Sequence, residues 1–99
     1  MNLWNLDFPE TYKGFTLNKE NEGRVIRYQK KYDDEAYIDV LLVLNVKKTY
    51  TVACRKFNNE GTMEYDFPAY SFEEIRDKQE AYKRLFKKLN ELAIRSLVE

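Results

Sequence analysis

Histidine does not occur in this 99-residue chain, and cysteine occurs once, as Cys54. Those two scarcities remove much chemistry together. Without imidazole there is no Ser-His or Cys-His nucleophile pair, the commonest general acid/base is missing, and most zinc sites are excluded. A single thiol forms neither an intramolecular disulfide nor a cysteine-rich metal site. Glycine (3) and proline (2) are few, which leaves no glycine-rich phosphate loop and no low-complexity linker. Net charge is zero, 17 basic residues balancing 17 acidic ones. A dedicated nucleic-acid binder carries a positive excess, because affinity comes from neutralising phosphates, and a nucleic-acid mimic leans acidic. Long apolar runs are also missing, since nothing approaches the roughly 20 residues of a membrane span.

What is present is the composition of a folded domain. Hydrophobic residues make up 43% and charged residues 34%, a balance that excludes disorder and predicts one compact core under a charged surface. The first residues, Met1 to Phe8, have no basic start and carry Asp7, so no signal peptide, no membrane contact and a cytoplasmic location are expected. A preference for Lys over Arg, with abundant Asn, Tyr, Ile and Phe, follows A/T-rich codons and points to a low-GC bacterium or one of its viruses or plasmids.

Periodicity divides the chain into one domain, 1–99. Residues 1–10 form an N-terminal arm whose Leu3, Trp4, Leu6 and Phe8 should be pinned on the core. Residues 12–67 read as a β-meander. A short first strand spans Tyr12 to Leu17, a polar turn Asn18 to Gly23, and a second strand Arg24 to Tyr32. Tyr37 to Val46 is the most apolar stretch. Ile38, Val40, Leu42, Leu44 and Val46 alternate onto one face while Leu41 and Val43 load the other, the pattern of a central strand. Thr49 to Phe57 follows, then the turn Asn58 to Gly61 and an edge strand with Met63, Tyr65 and Phe67 alternating.

Residues 71–98 predict a helix. Ser71-Phe72-Glu73-Glu74 has the form of a capping box, and Ile75, Tyr82, Leu85, Phe86, Leu89, Leu92, Ala93 and Leu97 make an apolar face. Tyr82, Leu85, Leu89 and Leu92 also fit two heptads of a dimer seam, although the stripe has the width wanted by a sheet. The fold class is therefore α+β, an antiparallel β-meander of four to five strands packed against one long C-terminal α-helix.

Candidate chemistry is sparse. Asp33-Asp34-Glu35 could offer oxygens to a cation, but adjacent acids in a turn rarely converge on one ion. Glu64 and Asp66 share a strand face, as paired carboxylates or as solvated charge. Cys54 alternates with Tyr50 and Val52 onto a buried face, where a thiol is inert. No catalytic residue, metal or cofactor is assigned. The 8 tyrosines exceed the needs of the core, and Tyr is enriched where proteins meet. Tyr12, Tyr32, Tyr37 and Tyr70 at element ends, with Met63 and Tyr65 on the edge, are the candidate partner-binding residues. Lys83, Arg84, Lys87 and Lys88 cluster at helical spacing and are the candidates for the alternative, a nucleic-acid contact.

In size and composition the chain resembles the small accessory proteins of bacterial mobile elements, many of which inhibit a host enzyme, CRISPR nucleases among them, by occupying a surface. The resemblance implies a non-catalytic inhibitor or adaptor whose partner is another protein, acting as a monomer or homodimer.

Overall fold

The computed structural model describes residues 4–94. Six strands lie in sequence order in one antiparallel sheet: β1 (Thr11–Tyr12), β2 (Phe15–Glu20), β3 (Val25–Lys31), β4 (Tyr37–Leu44), β5 (Tyr50–Phe57) and β6 (Ser71–Ile75). One helix, α1 (Lys78–Ile94), crosses a single face of that sheet. The α+β meander read from the pattern is the observed architecture, with one or two more strands than expected.

Each turn has its own chemistry. The segment expected as one strand, Tyr12 to Leu17, is instead a hairpin. Lys13 and Gly14 take φ of 52° and 88°, two left-handed residues in succession, which matches the twist of the flanking strands. At the next turn Asn21, Glu22 and Gly23 also have positive φ. β4 is central, as its two-faced apolar pattern requires, and its residues pair with both β3 and β5 along their length.

Two expected elements are corrected. Met63 to Phe67 is not a strand: it makes one bridge, Met63 to Phe57, and one further bond from Glu64 N–H to Lys56 O. The chain then turns through Pro68, and Tyr70 N–H closes the turn on Phe67 O at 2.9 Å, a place for which proline's fixed φ is suited. Ser71 to Ile75 is not the start of the helix but the edge strand β6, paired with β5 from Cys54↔Ser71 to Tyr50↔Ile75. The helix begins at Lys78, and its cap is Asp77, whose Oδ2 accepts the Glu80 N–H at 3.0 Å. The meander thus runs to residue 75 rather than 67. The expected helix end at 98, with Leu97, lies outside the described residues.

Burial explains how the helix sits. Ala81, Leu85, Leu89 and Leu92 form its buried stripe and meet Ile26, Tyr28, Ile38, Val40, Leu42, Val52 and Cys54 from the sheet. Each buried leucine contributes about 1.5–3 kcal/mol relative to exposure. The leucine heptad is therefore consumed by the chain's own sheet. Ile75 belongs to β6 rather than to this stripe, and Ala93 is exposed. From Trp4 onward the arm is pinned on the core, with Leu6 and Phe8 packed there too; Leu3 lies outside the described residues. Trp4 is 2% exposed, donates Nε1–H to Gly23 O at 2.7 Å, and accepts Lys78 Nζ on its own carbonyl at 2.8 Å.

Candidate protein-docking face

A sheet with a helix on one side only leaves the other side to water or to a partner. Strand alternation and register fix which residues stand there. Four rows cross the helix-free face: Glu20, Val25, Val43, Thr51, Glu74; then Asn18, Arg27, Leu41, Ala53, Phe72; then Thr16, Gln29, Asp39, Arg55; then Lys31, Tyr37, Phe57.

The centre of this face is a buried ion cluster. Asp39 is 0% exposed although no described helix or strand covers its side of the sheet. Arg55, directly opposite on β5, donates Nε–H to Asp39 Oδ1 at 2.9 Å and Nη2–H to Oδ2 at 2.6 Å. Arg27 on β3 donates Nε–H to Oδ2 at 3.0 Å and Nη1–H to Glu20 at 3.0 Å. Each guanidinium also lies over a ring, Arg27 at 5.3 Å from the Tyr37 centroid and Arg55 at 5.0 Å from that of Phe57. Those two rings stack on each other at 4.8 Å. The hydrogen bonds that Arg55 donates to Asp39 raise it above the usual arginine range, against burial pulling the other way. The result is a rigid platform whose central charges are already satisfied.

Beside the platform the surface is apolar. Val25, Leu41, Val43 and Ala53 line the middle strands, and Phe72 stands at the edge on β6 with 66% of its surface exposed. Phe, Tyr and Arg are enriched where proteins meet, relative to the rest of the surface. Fold and register together bring an exposed phenylalanine, a small apolar floor and a stacked Arg-aromatic layer onto one face of the sheet.

The structure separates the tyrosines grouped by sequence. Tyr37 lies on this face. Tyr32 turns toward the helix side, donating its hydroxyl to Phe57 O at 3.0 Å under Lys56 Nζ; burial, then the Glu64 and Asp33 charges, push that hydroxyl up. Met63 is half-buried at its bridge, and Tyr65 and Tyr70 pack edge-to-face in the loop between β5 and β6. Tyr12 is remote from all of these, against Phe86 and Asn90 of α1.

The basic cluster is divided as well. Arg84 donates Nη1–H to Glu73 at 2.6 Å and Lys88 stands 3.9 Å from Glu91. Lys83 and Lys87 have no ion pair among the described residues. Asp33 serves its own loop: its carboxylate accepts Asp34 N–H and Asn59 Nδ2–H, bonds that hold it below the usual carboxylate range. No group of three or more Cys, Asp or Glu placed to hold a metal ion occurs among the described residues. Nor is any described helix long and apolar enough to cross a membrane.

Asp39, Arg27, Arg55 and Phe72 were not singled out by sequence. One signal was available: Asp39 is a lone acid inside the most apolar strand, flanked in the next strands by one arginine each. Comparison with protein-family models, with curated protein sequences and with solved structures finds no match to this chain. Function must therefore be read from the molecule's own surfaces.

Proposed function

We propose that the protein is a small non-catalytic protein-binding domain, of the inhibitor or adaptor kind, that docks through the helix-free face of its sheet. One observation carries this reading: Phe72 stands 66% exposed in the same row as Leu41 and Ala53, beside an ion cluster that needs nothing further from solvent. An exposed aromatic at the rim of an apolar patch costs free energy in water and returns it when a partner's pocket closes over it. The Arg27–Asp39–Arg55 cluster holds the strands beneath in one geometry, so little ordering entropy remains to be lost on binding.

Arg27, Arg55 and Lys31 on this face are offset by Asp39, Glu20 and Glu74. Such a neutral surface suits a protein partner better than a phosphate backbone. The partner is taken to be a cytoplasmic protein of a bacterial host, in keeping with the size and composition of mobile-element accessory proteins.

The test is affinity capture from a low-GC bacterial lysate, with and without nuclease and across a salt series. A defined protein that stays bound through both treatments supports the reading. Recovery that disappears with nuclease and falls steeply with salt replaces it with the nucleic-acid alternative at Lys83, Arg84, Lys87 and Lys88.

A further inference from the structure

On the opposite side of the molecule, α1 and the N-terminal segment border an open groove of about 690 Å³, in the size range of ligand-binding clefts. Its floor is aromatic. Tyr12 meets Phe86 edge-to-face at 4.9 Å, and Tyr82 meets Phe86 at 5.1 Å. Pro9 closes one wall and Ile94, 87% exposed, stands at the other end. The tyrosine hydroxyl protons are already used, Tyr12 donating to Asn90 Oδ1 and Tyr82 to Asp7 O, so the floor presents mainly ring faces.

The rim carries the charge. Lys83 and Lys87 line the groove one turn apart, about 6 Å along the helix. Both are exposed, and neither has an ion pair among the described residues. Glu91 also lines it, but its carboxylate faces Lys88 at 3.9 Å. Two ammonium groups without an ion pair among the described residues, above an aromatic floor, call for an occupant with the opposite charge and an apolar anchor.

We infer that this groove is a second docking site, for an acidic peptide segment of a partner protein that inserts a large apolar side chain between Tyr12, Phe86 and Ile94 and places two carboxylates against Lys83 and Lys87. The site is separate from the sheet face and stands whether or not that face binds. With both occupied, the domain bridges two partners, which is the work of an adaptor.

The experiment uses fluorescence anisotropy with a labelled amphipathic peptide of Leu, Phe, Glu and Ala, its Glu residues at i and i+4 beside the apolar stripe, and a control with every Glu replaced by Lys. The Glu peptide should bind, and the Lys peptide should bind at least tenfold more weakly. K83E/K87E should weaken the Glu peptide by tenfold or more, I94E should weaken it too, and F72A should leave it unchanged. Ile94 and both lysines are exposed, so these variants keep the fold, which circular dichroism checks. Equal binding of the two peptides overturns the proposal, as does binding that survives K83E/K87E. Sedimentation showing a homodimer that I94E dissociates overturns it in favour of a second copy of the chain.

Discussion

Arg55 reaches across the sheet to Asp39 with both ends of its guanidinium fork, at 2.9 Å and 2.6 Å. The carboxylate it holds is fully buried on the face that carries no helix. Arg27 completes the enclosure from the other neighbouring strand. A buried charge is tolerated only when paired and hydrogen-bonded, and removing one member leaves the others uncompensated.

Asp39→Asn tests that enclosure. It keeps the shape and removes the charge, so Arg55 loses its counter-ion in a partly buried site and Arg27 is left with Glu20 alone. The expected loss is about 3 kcal/mol of unfolding free energy in urea denaturation. A change below roughly 0.5 kcal/mol, the range of ordinary surface substitutions, would mean that the cluster does not hold the platform together.

The two serine- and aspartate-led signatures around the helix start make opposite predictions. Asp77→Ala removes the observed cap and should cost about 1 kcal/mol. Ser71 Oγ is buried with no hydrogen-bond partner among the described residues, so Ser71→Ala should be neutral or slightly stabilising. Thermal unfolding of the two variants gives the order directly. A larger loss from Ser71→Ala would restore the cap to residue 71.

Alkaline stability should depend on Tyr28. Its ring is fully buried, its hydroxyl donates to Pro9 O at 2.6 Å, and burial, then the Tyr82 and Asp7 charges, push its pKa above the ordinary 10.0. Below that value both folded and unfolded chains keep the proton, and Tyr28 adds no pH dependence. Above it the unfolded chain ionises first, so stability falls as pH rises through and beyond 10. Denaturation midpoints should decline there, and Tyr28→Phe should decline less steeply from a lower starting stability. An equally steep decline in Tyr28→Phe would assign the effect elsewhere.

Trp4 is the only tryptophan, which gives the arm its own probe. Its indole packs on Phe8 and Tyr50 at 6.1 Å and 5.6 Å, so emission should be blue-shifted and shielded from iodide until global unfolding. Emission at the wavelength of free tryptophan in native buffer would detach the arm from the core.

How much of this was legible depended on whether one physical cause dominated. Strand β4 was readable because Ile38, Val40 and Leu42 face the helix while Leu41 and Val43 load the other side. The end of the meander was not, for two local reasons. Met63, Tyr65 and Phe67 alternate like a strand, yet Pro68 cannot donate to a ladder and the chain turns around it. In β6 the alternation is disguised: Phe72 points to the open face, while Glu73 stands on the helix side because Arg84 neutralises it. Ser71-x-x-Glu74 and Asp77-x-x-Glu80 have the same local form, and tertiary pairing with β5 decided between them. The docking face was invisible for the same reason, since Phe72 was assigned to a helix and Asp39 was hidden in an apolar run.

The most direct test of the docking face is the affinity of a captured protein partner for the wild-type domain and for Phe72→Ala, measured by calorimetry. The side chain is largely exposed, so the substitution should cost the fold no more than about 1 kcal/mol. Binding should weaken at least tenfold, as for an interface anchor, while charge reversal at Lys83, Arg84, Lys87 and Lys88 leaves it within a factor of a few. Unchanged binding by Phe72→Ala, with loss on that charge reversal, would contradict the account and move the interface to the helix.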